Sequence, residues 1–201
     1  MIKAILLDFD GVLTTDKTGS QSIINYLSAK TGIPFGTLKA AYASFNKDLL
    51  LGGLKHEDMW QAFCERVGTD IEYSLLVESF RNTPIDEDMI ALAKQLKPDY
   101  AVGMITDNKC DRIGEIVRYH GWSELFDVIS VSAAFGSGKT DERIFNETLS
   151  ALGIRPEESV FIDNTAKNLI VPEQLGIHTI LFDDENRDFA QFTEQLNSVL
   201  R

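Results

Sequence analysis

Cysteine is nearly absent from the 201-residue sequence, which contains only Cys64 and Cys110. They fall in separate segments that read as helical, so no disulfide framework is available and reduced thiols in a cytoplasmic compartment are expected. Long apolar runs are missing too: the first stops where Asp8 follows Leu7, and none approaches membrane-spanning length. Neither a leader peptide nor a membrane partner is therefore expected. Positive charge is scarce, with 19 Lys and Arg against 31 Asp and Glu, a net charge of −12, and no Lys/Arg run. A phosphate backbone would be repelled, so nucleic acid is a poor partner. A small phosphorylated substrate can still bind where a divalent cation and a few positive side chains focus charge in a pocket. Internal repeats and low-complexity segments are also lacking. What remains is an ordinary globular composition, 44% hydrophobic and 25% charged, able to form one α/β domain plus a small insertion.

The organising stretch is Lys3 to Thr15, KAILLDFDGVLTT. Ile5, Leu6 and Leu7 form an uninterrupted apolar run, which suits a strand buried on both faces of a parallel sheet. The run ends in Asp8 and Asp10, which in an extended strand would point the same way, and Gly11 then lets the backbone coil tightly. An isolated Asp-x-Asp commonly does no more than keep a strand end soluble. Two acids at a buried strand end are costly, however, and a bound cation is the usual way to offset that.

After Thr15 the pattern turns helical for a long stretch. Ile23, Ile24 and Leu27 sit at helical spacing before Gly32, and Leu38, Ala41, Tyr42 and Phe45 before Gly52-Gly53. Met59, Trp60, Phe63 and Val67 precede Gly68, and Ile71, Leu75, Leu76 and Phe80 precede Pro84. These spacings predict an all-helical insertion of roughly four helices over residues 15–84. From Ile85 onward helices and strands alternate, which argues an α/β fold with a doubly wound parallel sheet formed by residues 1–14 and 85–201. Asp86 is placed to cap a helix through Met89, Leu92, Ala93 and Leu96. Strands are expected at Ala101 to Ile105, Val128 to Val131, Val160 to Ile162 and Thr179 to Phe182. Helices are expected at Arg112 to His120, Glu142 to Leu152, Ala166 to Leu175 and from Asp188 to Leu200.

In open parallel sheets ligands bind beyond the carboxyl ends of the strands, so the polar residues there carry the functional signal. One strand ends Thr106-Asp107-Asn108, another Asp163-Asn164, and a loop after a third holds Lys139. Taken alone, Thr106 reads as a turn residue and Lys139 as a solvated loop lysine. Ala133 to Thr140 also reads A-x-x-x-x-G-K-T, close to a phosphate-binding P-loop. Its first glycine is replaced by Ala133, and too little chain follows Lys139 for a nucleoside-triphosphatase core.

The string DFDGVLT at Asp8 to Thr14 resembles the first signature of the haloacid dehalogenase-like hydrolases. Thr106-Asp107-Asn108, then Lys139-Thr140-Asp141 running into Ile144-Phe145, then Asp163-Asn164 resemble the later motifs, in the family's order. Thr140 stands where the family usually has Pro, and Asn164 where a second acid is common. The resemblance implies a Rossmann-like core with a helical cap and a Mg²⁺-dependent phosphatase. It implies catalytic roles for Asp8, Asp10, Thr106 and Lys139. By that resemblance Asp8 would be the nucleophile and Asp10 the general acid and base, and Mg²⁺ would be held by the Asp8 carboxylate, the Asp10 backbone carbonyl and Asp163. It further implies that Thr106, Asp107, Asn108 and Lys139 bind the substrate phosphoryl group. Related dehalogenases lack an acid at the Asp10 position, because halide needs no proton to leave, so phosphatase chemistry is expected.

The expected activity is hydrolysis of a small phosphorylated metabolite, a sugar phosphate in preference to a nucleotide, by a monomer or homodimer. A phosphomutase of the same fold and a non-catalytic phosphate-binding module are the alternatives. Within the insertion Trp60 reads as core, while Lys47, His56 and Arg81 are candidates for touching substrate.

Overall fold

A computed structural model of the protein describes residues 1–200. Strand β1 (Ala4–Leu7) is buried at every position, as its unbroken apolar run requires. One wide helical turn, Phe9–Leu13, follows, and the chain then clasps itself: Thr14 bridges Ile85 antiparallel. The Thr15 N–H donates to the Pro84 carbonyl at 2.9 Å and the Asp86 N–H to the Leu13 carbonyl at 3.0 Å.

Between the two sides of that clasp run α1 (Gly19–Thr31), α2 (Phe35–Leu50), α3 (His56–Val67) and α4 (Tyr73–Arg81). The Thr18 hydroxyl caps α1 by accepting the Gln21 N–H at 3.3 Å. α1 and α3 stop at Gly32 and Gly68, and α4 ends short of Pro84. Leu27, Leu38, Tyr42, Phe63 and Leu76 form the shared interior of these helices and are at most 1% exposed. Trp60 belongs to it, its indole N–H donating to the Ile71 carbonyl at 2.8 Å.

The chain then alternates through α5 (Glu87–Leu96), β2 (Ala101–Thr106), α6 (Cys110–His120), β3 (Val128–Val131), α7 (Ser132–Phe135) and α8 (Glu142–Leu152). β4 (Ser159–Asp163), α9 (Ile170–Leu175), β5 (His178–Leu181) and α10 (Phe189–Leu200) complete it. The Asp86 carboxylate caps α5 by accepting the Met89 N–H at 3.0 Å. The single helix expected over Ala166 to Leu175 is split: Ala166–Leu169 is a tight 3₁₀ turn and α9 starts at Ile170. Pro172 is the reason. Lacking an N–H, it is tolerated in the first turn of a helix and not in its interior, so the α-helix begins just ahead of it.

All five strands are parallel, in the order β3-β2-β1-β4-β5. Period-two alternation divides the core. Ile5, Leu7, Val102, Met104, Val160 and Ile162 face one layer, with α5, α6, α10 and the helical insertion. Leu6, Ile105 and Phe161 face the other, against Ile144, Phe145 and Leu149 of α8. Each such aliphatic or aromatic side chain contributes about 1.5–3 kcal/mol when fully buried. Strand order reverses direction at β1, between β2 and β4, and such a switch opens a crevice at the carboxyl ends. Leu7 is in register with Met104 and with Ile162, so Asp8, Ile105-Thr106 and Asp163 emerge side by side. Both cysteines are free, Cys64 in α3 and Cys110 at the start of α6. Among the described residues no helix is long and apolar enough to cross a membrane.

Candidate active site

The strand ends converge on one buried ammonium. Lys139 Nζ lies 2.8 Å from Asp8 Oδ2 and 2.6 Å from Asp163 Oδ2, and all three side chains are almost wholly removed from solvent. The loop carrying the lysine is held by Asp107, whose Oδ1 accepts the Lys139 backbone N–H at 2.9 Å. Both groups of the possible P-loop lysine are therefore committed to carboxylates of this site. Burial alone would lower the Lys139 pKa, but the charges of Asp8, Asp163 and Asp107 outweigh it and hold the ammonium above its ordinary range. Burial and the Asp163 charge push the Asp8 carboxyl well above the usual carboxylate range, although Lys139 opposes them.

The turn after Asp8 is shaped by close approaches. The Asp8 Oδ1 accepts the Phe9 N–H at 2.7 Å and caps the turn. Gly11 sits at φ +85°, and a Cβ there would stand 2.2 Å from the Asn164 amide nitrogen. Arg187 pins the same turn from outside, donating to the Gly11 and Val12 carbonyls at 2.9 and 3.0 Å. Asn164 is tied to Asp184 at 2.9 Å.

Asp10 is held by a second cation. Arg112, which is fully buried, forms a fork with Nη2 2.9 Å from Asp10 Oδ1 and Nη1 3.0 Å from Oδ2. Asn108 Nδ2 donates to Asp10 Oδ2 at 2.7 Å and to Thr106 Oγ1 at 3.2 Å, while its Oδ1 accepts from Arg112 at 3.0 Å. Asn108, expected on substrate, is thus fully buried within a bracing network and does not line the cavity. Thr106, Asp107 and Lys139 do line it.

That cavity, about 310 Å³, has Asp8, Asp10, Thr106 and Lys139 on its floor. Its opposite wall comes from the helical insertion through Thr18, Gly19, Ser20, Asn46 and Leu50, with Lys109 at the side. Asp163 sits behind Lys139. Asn168 braces it, Nδ2 donating to both carboxylate oxygens at 3.2 and 3.1 Å, while Asn168 Oδ1 is buried without a partner.

A family model for haloacid dehalogenase-like hydrolases matches residues 2–176. The chain belongs to that family. Among its relatives, a stretch of 58 residues is 45% identical to mouse Acyl-CoA dehydrogenase family member 10, covering 29% of this chain and only 5% of that much longer protein. Phosphoserine phosphatase of Thermus thermophilus is 24% identical, over 90% of this chain and 89% of the relative. A HAD family enzyme of Bacteroides thetaiotaomicron, solved as a magnesium complex, superposes with a TM-score of 0.76 at 20% identity, covering 95% of this chain and 98% of that one. At that identity the likeness shows the fold.

The three substrate candidates of the insertion part company. His56 is fully buried, between the Tyr42 hydroxyl and Asp111 Oδ2, both at 2.7 Å. Arg81 pairs with Glu115 at 2.6 Å, and Lys47 lines a neighbouring hollow with Asp107 and Thr140. Two residues of this hydrolase site escaped the sequence reading, Lys109 and Arg112. Their signal was present: Lys109 directly follows Thr106-Asp107-Asn108, and Arg112 comes three residues later, in the first turn of α6.

A divalent cation fits this site. Among the described residues no cluster of three His, Cys, Asp or Glu side chains is arranged for a metal. Mg²⁺, however, takes one or two carboxylates and fills its shell with water and substrate oxygens. Asp8 and Asp163 already converge on a single positive centre, the Lys139 ammonium, and the orphaned Asn168 oxygen lies beside them.

Proposed function

We propose that this hydrolase is a Mg²⁺-dependent phosphomonoesterase acting on a small phosphorylated metabolite, a sugar phosphate in preference to a nucleotide, through an aspartyl phosphate on Asp8. The observation that carries the reading is the convergence of Asp8 and Asp163 on the Lys139 ammonium, with Asp8 and Lys139 on a cavity floor shared with Thr106 and Asp10 and Asp163 behind it. The magnesium complex of the Bacteroides thetaiotaomicron enzyme and the phosphatase among the relatives support it. The Asp8 carboxylate, the Asp10 backbone carbonyl and Asp163 would hold the ion, which when bound neutralises charge between the carboxylates and the phosphoryl oxygens.

Phosphoryl transfer asks mainly for positioning and charge neutralisation. Thr106 Oγ1, the Asp107 N–H and the Lys139 ammonium cradle the transferring oxygens. An Asp8 oxygen forms a bond to phosphorus as the ester P–O bond breaks, and Asp10 gives its proton to the departing oxygen. Asp10 then takes a proton from water, whose oxygen attacks phosphorus, freeing the Asp8 carboxylate and inorganic phosphate. In the structure both Asp10 oxygens are held by Arg112, so Asp10 must swing out of that fork to carry the proton to the leaving group. The helical insertion, residues 15–84, serves as a cap domain that excludes bulk water and meets the leaving group.

Hydrolysis of p-nitrophenyl phosphate with Mg²⁺, abolished in Asp8→Asn, is the expected result. Turnover that persists in Asp8→Asn contradicts it. Isomerised sugar phosphate formed without inorganic phosphate would point to phosphoryl transfer back to sugar.

A further inference from the structure

Lys109 is a buried cation that pairs with no carboxylate among the described residues. It directly precedes α6, is 4% exposed, and forms a side of the cavity that holds Asp8. Its ammonium has one polar side-chain neighbour, Ser20 Oγ at 3.5 Å, and lies 5.7 Å from the centre of the Tyr42 ring. The two other buried Lys and Arg side chains among the described residues are both matched, Lys139 by Asp8 and Asp163 and Arg112 by Asp10. An ammonium taken out of water without a counter-charge is costly, and proteins retain one where a ligand brings the missing charge. Burial, followed by the nearby Arg112 charge, lowers the Lys109 pKa to about 8, and the Asp10 and Asp111 carboxylates only partly offset them.

We propose that Lys109, with Ser20 and Asn46, is a subsite for a second anionic group, a carboxylate or a phosphate, carried on the leaving-group side of the phosphomonoester. The inference rests on the phosphomonoesterase reading of the Asp8 site and narrows its substrate class to sugar or hydroxy-acid phosphates with two anionic ends. Placement supports it: the phosphoryl cradle is on the strand ends, whereas Ser20 and Asn46 belong to the insertion and face the other end of the substrate. Ser20 Oγ donates to Asn46 Oδ1 at 3.0 Å, which leaves serine lone pairs toward Lys109 and adds the Asn46 amide to the same wall. Such a local cation is also what draws a doubly anionic substrate to a chain of net charge −12.

The test compares glycerol phosphate, phosphoglycerate and glycerol bisphosphate as substrates with Mg²⁺ present, for the wild type, Lys109→Met and Lys109→Arg. The wild type is expected to favour one or both anion-bearing esters in kcat/KM by about tenfold or more, through KM, the size of one desolvated charge-assisted contact. The ester favoured identifies carboxylate or phosphate as the group bound. Lys109→Met should erase the preference and Lys109→Arg retain it, with folding checked by circular dichroism and Lys109→Gln replacing a methionine variant that does not fold. Equal wild-type rates on all three, or a preference that survives loss of the charge, overturns the subsite while the phosphatase reading stands. No turnover of these esters or of p-nitrophenyl phosphate overturns both.

Discussion

Lys109 and Gly11 show how much of this site is decided one residue at a time. The Lys109 pKa is lowered to about 8 in the folded chain against an ordinary value of 10.5, so between those pH values the unfolded chain binds the extra proton. Wild-type stability must therefore gain from this group as pH rises through that window. Lys109→Met, which never carries the charge, should be the more stable protein at neutral pH, by a margin that shrinks by up to about 3 kcal/mol across the window. Denaturant titrations at several pH values measure it, and parallel curves for the two proteins would refute it. Gly11→Ala should destabilise by about 1–3 kcal/mol, because alanine at φ +85° is strained and its Cβ meets the Asn164 amide. Asp8, Asp10 and Asp163 stood out in the sequence because acids at or just beyond the end of a buried apolar run are conspicuous, whereas Thr106 and Lys139, a turn residue and a loop lysine when taken alone, were singled out only by their resemblance to the family's motifs. Lys109 and Arg112 were not. A basic residue at the start of a helix looks like any solvated face until another element covers it, and here the insertion does so. Asn108, which the resemblance placed on substrate, has its amide bracing Asp10 and Arg112, a partnership that spacing along the chain does not show.

At the scale of elements, α3 is fastened to α6 through a polar chain that is buried at Tyr42 and His56 and reaches the surface at Asp111. Tyr42 of α2 bonds His56 at the start of α3, and His56 Nδ1 bonds Asp111 in the first turn of α6. Burial holds the imidazole pKa below its usual value, so a neutral ring donates from Nδ1 to Asp111 and accepts the tyrosine hydroxyl at Nε2. His56→Ala should cost about 2–3 kcal/mol in denaturant melts, since it leaves the Tyr42 hydroxyl buried and unpaired. An unchanged midpoint would show that the chain of bonds does not fasten these helices. The close pairing of Gly19 with Arg112 is a second junction: a Cβ on Gly19 would lie 2.3 Å from Arg112 Nη1. Gly19→Val should therefore disturb the fork on Asp10 and lower kcat more than it raises KM. The helices were readable from apolar spacing and glycine stops. The division before α9 was not, because periodicity continues smoothly from Ala166 while the constraint comes from the single missing N–H of Pro172.

For the whole molecule, the alternation of strands and helices after residue 85 sufficed to indicate a parallel sheet, but strand order came only from the pairing. That order places β1 between β2 and β4 and brings an acid from the N-terminus beside a carboxylate from residue 163. A cation bound by the folded site alone stabilises the fold by mass action, about 2.7 kcal/mol at one hundred times its Kd. Mg²⁺ should therefore raise the melting temperature of the wild type and do so less in Asp8→Asn, as differential scanning fluorimetry would show. The most direct test is acid quenching of the enzyme during turnover with Mg²⁺ and a phosphomonoester, followed by mass spectrometry of its peptides. The expected result is one phosphoryl group on Asp8, absent from Asp8→Asn. A phosphoryl group on another residue, or hydrolysis with no covalent adduct and undiminished by Asp8→Asn, would contradict the central claim that Asp8 captures phosphorus.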